Sequence, residues 1–144
     1  MKYELIKSSK NDITKLIEYK KINIFDYATN LTDEDKIEIN NYVSNNIPKL
    51  LNDYKSIIIN EKVIGCVLFT KIDEGLLLDE IYIEEEYRNN GIGTDIIKNV
   101  INKNDDVYLW VYKQNIKAIS LYKRLDFKII DETNFRYYML HKKG

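Results

Sequence analysis

Between Leu76 and Thr94 the chain runs from an apolar stretch, Leu76 to Ile83, through a polar loop, Glu84-Glu85-Glu86-Tyr87-Arg88-Asn89-Asn90, into Gly91-Ile92-Gly93-Thr94. A strand that passes through glycines into a helix points unpaired backbone N–H groups and the helix's positive end at one spot. Phosphate is the ligand that suits such a spot. Two phosphate loops are excluded by residue type. A Walker A loop needs Lys-Ser or Lys-Thr after its last glycine, and neither Gly91 nor Gly93 is followed by them. The dinucleotide fingerprint needs Gly or Ala three residues beyond its second glycine, where Ile96 stands. The structural alternative is that Gly91 and Gly93 only relieve a tight turn. With one histidine, His141, and one cysteine, Cys66, the chain lacks the residues for His-rich metal sites or Ser-His and Cys-His nucleophiles. Chemistry must run on carboxylates, tyrosines, backbone amides or a borrowed cofactor.

The elements that position this loop follow from pattern. The 144 residues, 44% hydrophobic and 31% charged, are ordinary for a globular chain, and one domain over residues 1–144 is expected. A net charge of -1 gives no electrostatic grip on nucleic acid. The lone Cys66, an N-terminus without a signal-like apolar run and apolar stretches too short to span a bilayer predict a cytoplasmic protein without a membrane partner. Tyr3 to Lys7 reads as a strand. Asn11 or Asp12 caps a helix with Ile13, Leu16 and Ile17 inward, and Thr32 caps a second with Ile39, Tyr42, Val43 and Ile47 inward. Pro48 should kink or end that helix.

Strands are then predicted over Ser56–Ile59, Val63–Thr70 and Leu76–Ile83, with turns at Asn60-Glu61-Lys62 and Asp73-Glu74-Gly75. A helix from Gly91 to about Asn102, a strand Val107–Tyr112, a helix Ile116–Leu125 and strands Phe127–Asp131 and Phe135–Leu140 complete the chain. The order βααβββαβαββ predicts an α/β (α+β) fold, a mixed sheet of about seven strands with helices packed on it.

One strand beyond the glycine turn lies Asn115-Ile116-Lys117-Ala118-Ile119-Ser120-Leu121-Tyr122-Lys123-Arg124-Leu125-Asp126-Phe127. Together with Arg88-x-x-Gly91-x-Gly93, it resembles the GNAT superfamily of N-acetyltransferases. That family has Arg or Gln before its G-x-G or G-x-A turn after the fourth strand, and N-x-x-A-x-x-x-Y-x-x-x-G-F after the fifth. The resemblance covers about Lys62 to Phe127, and the pair of motifs at this separation is what makes it specific. It implies a mostly antiparallel sheet, four helices, and acetyl-CoA as co-substrate with no metal.

Carried over by position, the resemblance implies that backbone amides of Asn89, Asn90, Gly91, Ile92, Gly93 and Thr94 hold the pyrophosphate of acetyl-CoA, with Arg88 flanking. Backbone groups of Ile81, Tyr82 and Ile83 would pair with pantetheine, and one N–H would polarise the thioester carbonyl. Asn115 would bind the pantetheine arm. Tyr122 would protonate the departing thiolate, a modest contribution because a thiol of pKa ~8.5 leaves readily; packing on the helix's apolar stripe is the alternative.

An acceptor amine must lose its proton before attack, and Asp79 and Glu80 are the candidate bases, directly or through water. Strand alternation allows only one of them to face the acceptor, and which one is open. Trp110 stands where some members carry a catalytic glutamate, so it is expected to shape the acceptor pocket or core. Asp126 replaces the family's glycine and, tolerating a left-handed helix end, is expected to be neutral. Glu84-Glu85-Glu86 are expected to be solvated, His141 exposed and Cys66 an inert core thiol among apolar neighbours.

The expected activity is acetyl transfer to an amine, small molecule or peptide, by direct attack in a ternary complex. The alternatives are a non-catalytic acyl-CoA-binding module on the same fold, or a structural domain. The resemblance is compatible with a homodimer.

Overall fold

In a computed structural model, which describes residues 2–103 and 106–144, the order is β1 (Glu4–Lys7), α1 (Ile13–Tyr27), α2 (Asp33–Leu50), β2 (Tyr54–Ile59), β3 (Lys62–Ile72), β4 (Gly75–Ile83), α3 (Ile92–Lys103), β5 (Val107–Tyr112), α4 (Ile116–Arg124), β6 (Lys128–Glu132) and β7 (Arg136–His141). This is the order read from the sequence, with shifts of one or two residues at several ends. Local chemistry sets those ends. Thr32 accepts from the Asp35 N–H at 3.0 Å while Asp35 accepts from the Thr32 N–H at 3.0 Å, a reciprocal cap that starts α2. Asp12, by contrast, turns its carboxylate back to the Ser9 N–H at 2.8 Å and closes a 3-10 turn, Lys10–Asp12, ahead of α1.

Three expectations are corrected. Helix α2 runs past Pro48 to Leu50 before a further 3-10 turn, Leu51–Asp53. So close to the helix's end the proline removes one N–H without stopping the chain. Tyr42, assigned inward, is 62% exposed, at the edge of the stripe where its hydroxyl accepts from Asn46 at 3.2 Å. His141 is half-buried rather than exposed, because β7 continues through it to pair with Val107. Its ring lies 5.5 Å from that of Phe127, and its Nδ1 is buried without a hydrogen-bond partner.

The seven strands form one sheet in the order β1-β2-β3-β4-β5-β7-β6. Helices α1 and α2 cover one face through Leu16, Tyr19, Val43 and Ile47, packed on Tyr54, Cys66 and Leu68. On the other face α3 sets Ile92 and Ile96 against Ile57, Ile64 and Val67, while α4 sets Ile119 and Tyr122 beside Leu109, Val111 and Met139. Burial of these apolar faces is the main force holding the layers together. No helix among the described residues is long and apolar enough to cross a membrane.

Two irregularities matter for function. β4 and β5 pair in parallel only over Leu76↔Val107, Leu77↔Tyr108 and Leu78↔Leu109. Within the β3–β4 ladder, Leu68 opposes Glu80 while Phe69 opposes Leu78, which leaves Asp79 as a bulge residue. Farther along the same ladder Gly65 lets the strands close tightly, since a Cβ there would lie 2.2 Å from the Tyr82 carbonyl oxygen. Gly65→Ala must push the end of β4 away and is expected to cost about 2 kcal/mol, read as a lower urea midpoint, typical of overpacking.

Candidate active site

β4 ends at Ile83, and the loop beyond it is folded by its own side chains. Arg88 donates from Nε to the Ile83 carbonyl at 2.7 Å and lies over the Tyr82 ring at 5.3 Å. Asn90 donates from Nδ2 to the carbonyls of Tyr87 and Arg88 at 3.1 and 3.2 Å. Asn89 and Gly91 take left-handed angles, φ 64° and 79°. A Cβ at Gly91 would meet nothing within 4 Å, so the backbone angle, not crowding, calls for glycine. The Gly91 carbonyl accepts the first helical bond, from the Asp95 N–H at 2.9 Å. The N–H groups of Ile92, Gly93 and Thr94 therefore precede that bond, and no described residue accepts from them. Such amides at a helix's positive end suit an anion. Glu84, expected to be solvated, is held instead: it accepts from the Tyr19 hydroxyl and lies 3.7 Å from Lys15.

Where β4 and β5 part, a cleft opens whose lining includes Asp79, Glu80, Ile81, Asn115 and Tyr122. Both candidate carboxylates line it, as do Leu78 and Ile81 on either side of them. Leu78 packs on the α3–α4 side and Glu80 on the α1–α2 side, while Asp79 is exposed and accepts from Thr70 Oγ1 at 3.4 Å.

Glu80 is 3% exposed. Its Oε1 accepts from the Tyr54 hydroxyl at 2.5 Å and lies 3.8 Å from Lys20 Nζ, and its Oε2 accepts a weak bond from Cys66 Sγ at 3.5 Å. Burial raises its pKa above the usual carboxylate value, and Lys20, Tyr54 and Cys66 oppose that rise. Burial and the facing carboxylate push the Cys66 thiol well up, so it stays protonated. Its neighbours thus include a carboxylate as well as apolar groups. Tyr54, Lys20 and Arg136, which also lines the cleft, carry no motif that singled them out in the sequence.

The cleft's other wall comes from β5 and α4. Asn115 caps α4 by accepting from the Ala118 N–H at 3.2 Å, which leaves its NH₂ group for a ligand. Burial pushes the Tyr122 hydroxyl up to about 12, so it is a neutral proton donor at ordinary pH. Helix α4 ends in a Schellman motif: the Phe127 N–H donates to the Tyr122 carbonyl at 3.0 Å and the Asp126 N–H to that of Lys123 at 3.1 Å. Asp126 supplies the left-handed turn, φ 68°, and the Phe127 ring lies 5.7 Å from that of Tyr122. Among the described residues no group of three or more His, Cys, Asp or Glu could hold a metal ion.

The sequence pattern described as the Acetyltransferase (GNAT) family matches residues 17–127. The chain belongs to the GNAT acetyltransferase family. Over 79 residues, 47% of this chain and 52% of the relative, it is 33% identical to the spermine/spermidine N(1)-acetyltransferase of Bacillus subtilis strain 168. The matched region thus spans about half the length of that relative. It is 34% identical over 64 residues to the uncharacterized N-acetyltransferase YobR of the same organism, covering 41% of this chain and 26% of that one. Among solved structures, the PaiA N-acetyltransferase of Thermoplasma acidophilum, crystallised with coenzyme A, shares the fold over 100% of both chains at 23% identity and TM-score 0.79. Ard1 of Thermoplasma volcanium does so at 16% identity and TM-score 0.70, over 100% of this chain and 99% of the other.

Within this GNAT chain Trp110 lines the cleft. Its ring stacks on Tyr138 at 4.4 Å, with the Arg136 guanidinium 4.8 Å from the ring centre. The buried carboxylate leaves a signature in stability. Glu80 binds its proton more tightly folded than unfolded, so its contribution is full below the usual carboxylate range and is lost as pH rises through the raised pKa. Urea midpoints measured against pH are expected to show that decline, and Glu80→Gln to flatten it.

Proposed function

We propose that this chain transfers an acetyl group from acetyl-CoA to a primary amine by direct attack in a ternary complex. The observation that carries the reading is the cleft between β4 and β5. It brings a buried carboxylate, a neutral tyrosine hydroxyl and the strand's unladdered backbone together, one loop away from the unpartnered amides of α3.

In this reading the amides of Asn89 to Thr94, those of Ile92, Gly93 and Thr94 foremost, hold the pyrophosphate, and Arg88 flanks them while tied to Ile83. The edge of β4 over Ile81, Tyr82 and Ile83 receives pantetheine as an added strand would. An N–H there polarises the thioester carbonyl. The Ile83 carbonyl already accepts from Arg88, and alternation along the strand turns the Tyr82 groups toward β3, so the Ile81 groups and the Ile83 N–H carry most of that pairing. Asn115 offers its NH₂ group to the pantetheine arm. Glu80 takes a proton from the acceptor ammonium, and Tyr122 gives one to the leaving thiolate. Asp79, at the mouth, keeps the approaching cation in place.

A second groove, lined in part by Asp35, Glu38, Tyr42, Tyr112 and Phe135, shares Tyr42, Tyr112 and Arg136 with the space beside Asp79. Carboxylates and aromatic faces suit an extended cation. The relative named for spermine and spermidine makes a polyamine the first acceptor to test.

Release of free thiol from acetyl-CoA, followed across a panel of amines, tests the reading. Spermidine is expected to outpace a short monoamine. Glu80→Gln is expected to lower kcat by about 10²-fold or more, and Tyr122→Phe by roughly tenfold. The pH profile should show an acid limb from Glu80 and none from Tyr122 in the ordinary assay range, its pKa being about 12. Gly91→Val, which forces a β-branched residue to positive φ, should weaken acetyl-CoA binding about tenfold by calorimetry. Thiol release that is indifferent to both Glu80→Gln and Asp79→Asn would overturn the assignment of the base.

A further inference from the structure

One amine of the chain already stands at the candidate base. Lys20 projects from α1 with its side chain 26% exposed, and its Nζ lies 3.8 Å from Oε1 of Glu80, whose side chain is 0% exposed. Lys20 also lines the cleft that Tyr122, Asn115 and Ile81 line. It therefore occupies the place beside the carboxylate that an acceptor amine has to take. Nearby lysines are committed elsewhere: Lys15 lies 3.7 Å from Glu84 and donates to the Val63 carbonyl, and Lys113 pairs with Glu132. Cys66 also reaches Glu80, but it is fully buried and its thiol is held protonated. Arg136 shares the cleft as a guanidinium, which does not lose its proton.

We infer that Lys20 is itself an acceptor, so that in the absence of an external amine the protein acetylates its own Lys20. The inference rests on the transferase reading above. The step balances without any further reactant. The Lys20 ammonium passes one proton to Glu80, and the neutral Nζ attacks the thioester carbonyl carbon. As the N–C bond forms and the C–S bond breaks, the thiolate takes a proton from Tyr122, and the second proton on nitrogen restores that hydroxyl. Ammonium and thioester thus give amide and thiol, and Glu80 returns one proton to solvent.

Four side chains surround Glu80, and Lys20 is the amine among them. Lys20 faces it from α1, Tyr54 from β2 and Cys66 from β3, with Asp79 adjacent on β4. An amine that binds from outside must displace Lys20, so it also protects Lys20.

The experiment incubates the full chain with acetyl-CoA alone and follows acetylation by intact mass and peptide mapping. The exposed lysines Lys36 and Lys49 report the background chemical rate. Lys20 is expected to gain one acetyl group at least about tenfold faster than they do. Glu80→Gln should remove that advantage and leave the exposed lysines unchanged, while Lys20→Arg should abolish the fast phase. Should Glu80→Gln fail to fold, protection of Lys20 by added spermidine in the unaltered chain serves instead. Acetylation of Lys20 no faster than of Lys36 and Lys49 overturns the inference. Thiol release with added amine in the same preparation then separates the cases: release without Lys20 acetylation refutes this inference alone, and the absence of both refutes the transferase reading with it.

Discussion

The parting of β4 from β5 is the constraint on which the site depends. A parallel pair that continued to the ends of both strands would fill the space between them with its own hydrogen bonds. Here the ladder stops at Leu78 and Leu109, and the extra residue at Asp79 turns the strand just beyond. The same bulge settles where the side chains go. It sends Leu78 to the α3–α4 layer, Glu80 to the α1–α2 layer and Asp79 to the mouth. The bulge thus lies where the ladder with β5 ends, and both carboxylates at that point line the opening.

A buried carboxylate is expensive unless its oxygens are occupied. Three elements share that task around Glu80: Tyr54 from β2, Cys66 from β3 and Lys20 from α1. None of the three belongs to the Arg88–Gly93 or Asn115–Phe127 motifs. The site is therefore a product of the whole first half of the sheet, and the layer of α1 and α2 does more than cover it.

Much of this was legible in the sequence, and the residues show why. Capping at Thr32, the Asn60-Glu61 hairpin turn and the apolar stripe of α3 are local, so spacing revealed them. Asp126 was read as a tolerable left-handed end, and its φ of 68° agrees. The loop after Ile83 carried a motif, and its unpartnered amides lie where the glycines placed them. What escaped was non-local. The bulge at Asp79 is a property of pairing with β3, so spacing alone does not reveal that Glu80 is buried on the α1–α2 side while Asp79 is exposed. Tyr54 and Lys20 reach Glu80 across 26 and 60 positions of chain, without any spacing rule to announce them. Glu84 looked like part of an acidic run because its partners, Tyr19 and Lys15, sit on a distant helix.

That attachment of Glu84 has a mechanical meaning. Tyr19 bonds Glu84 and stacks on Tyr82 at 4.7 Å, so α1 is strapped to the strand end from which the glycine loop departs. Lys20 is the next residue along that helix. The wall of the cleft that carries Lys20 is therefore tied to the strand end by the residue just before it, through one hydrogen bond and one ring stack.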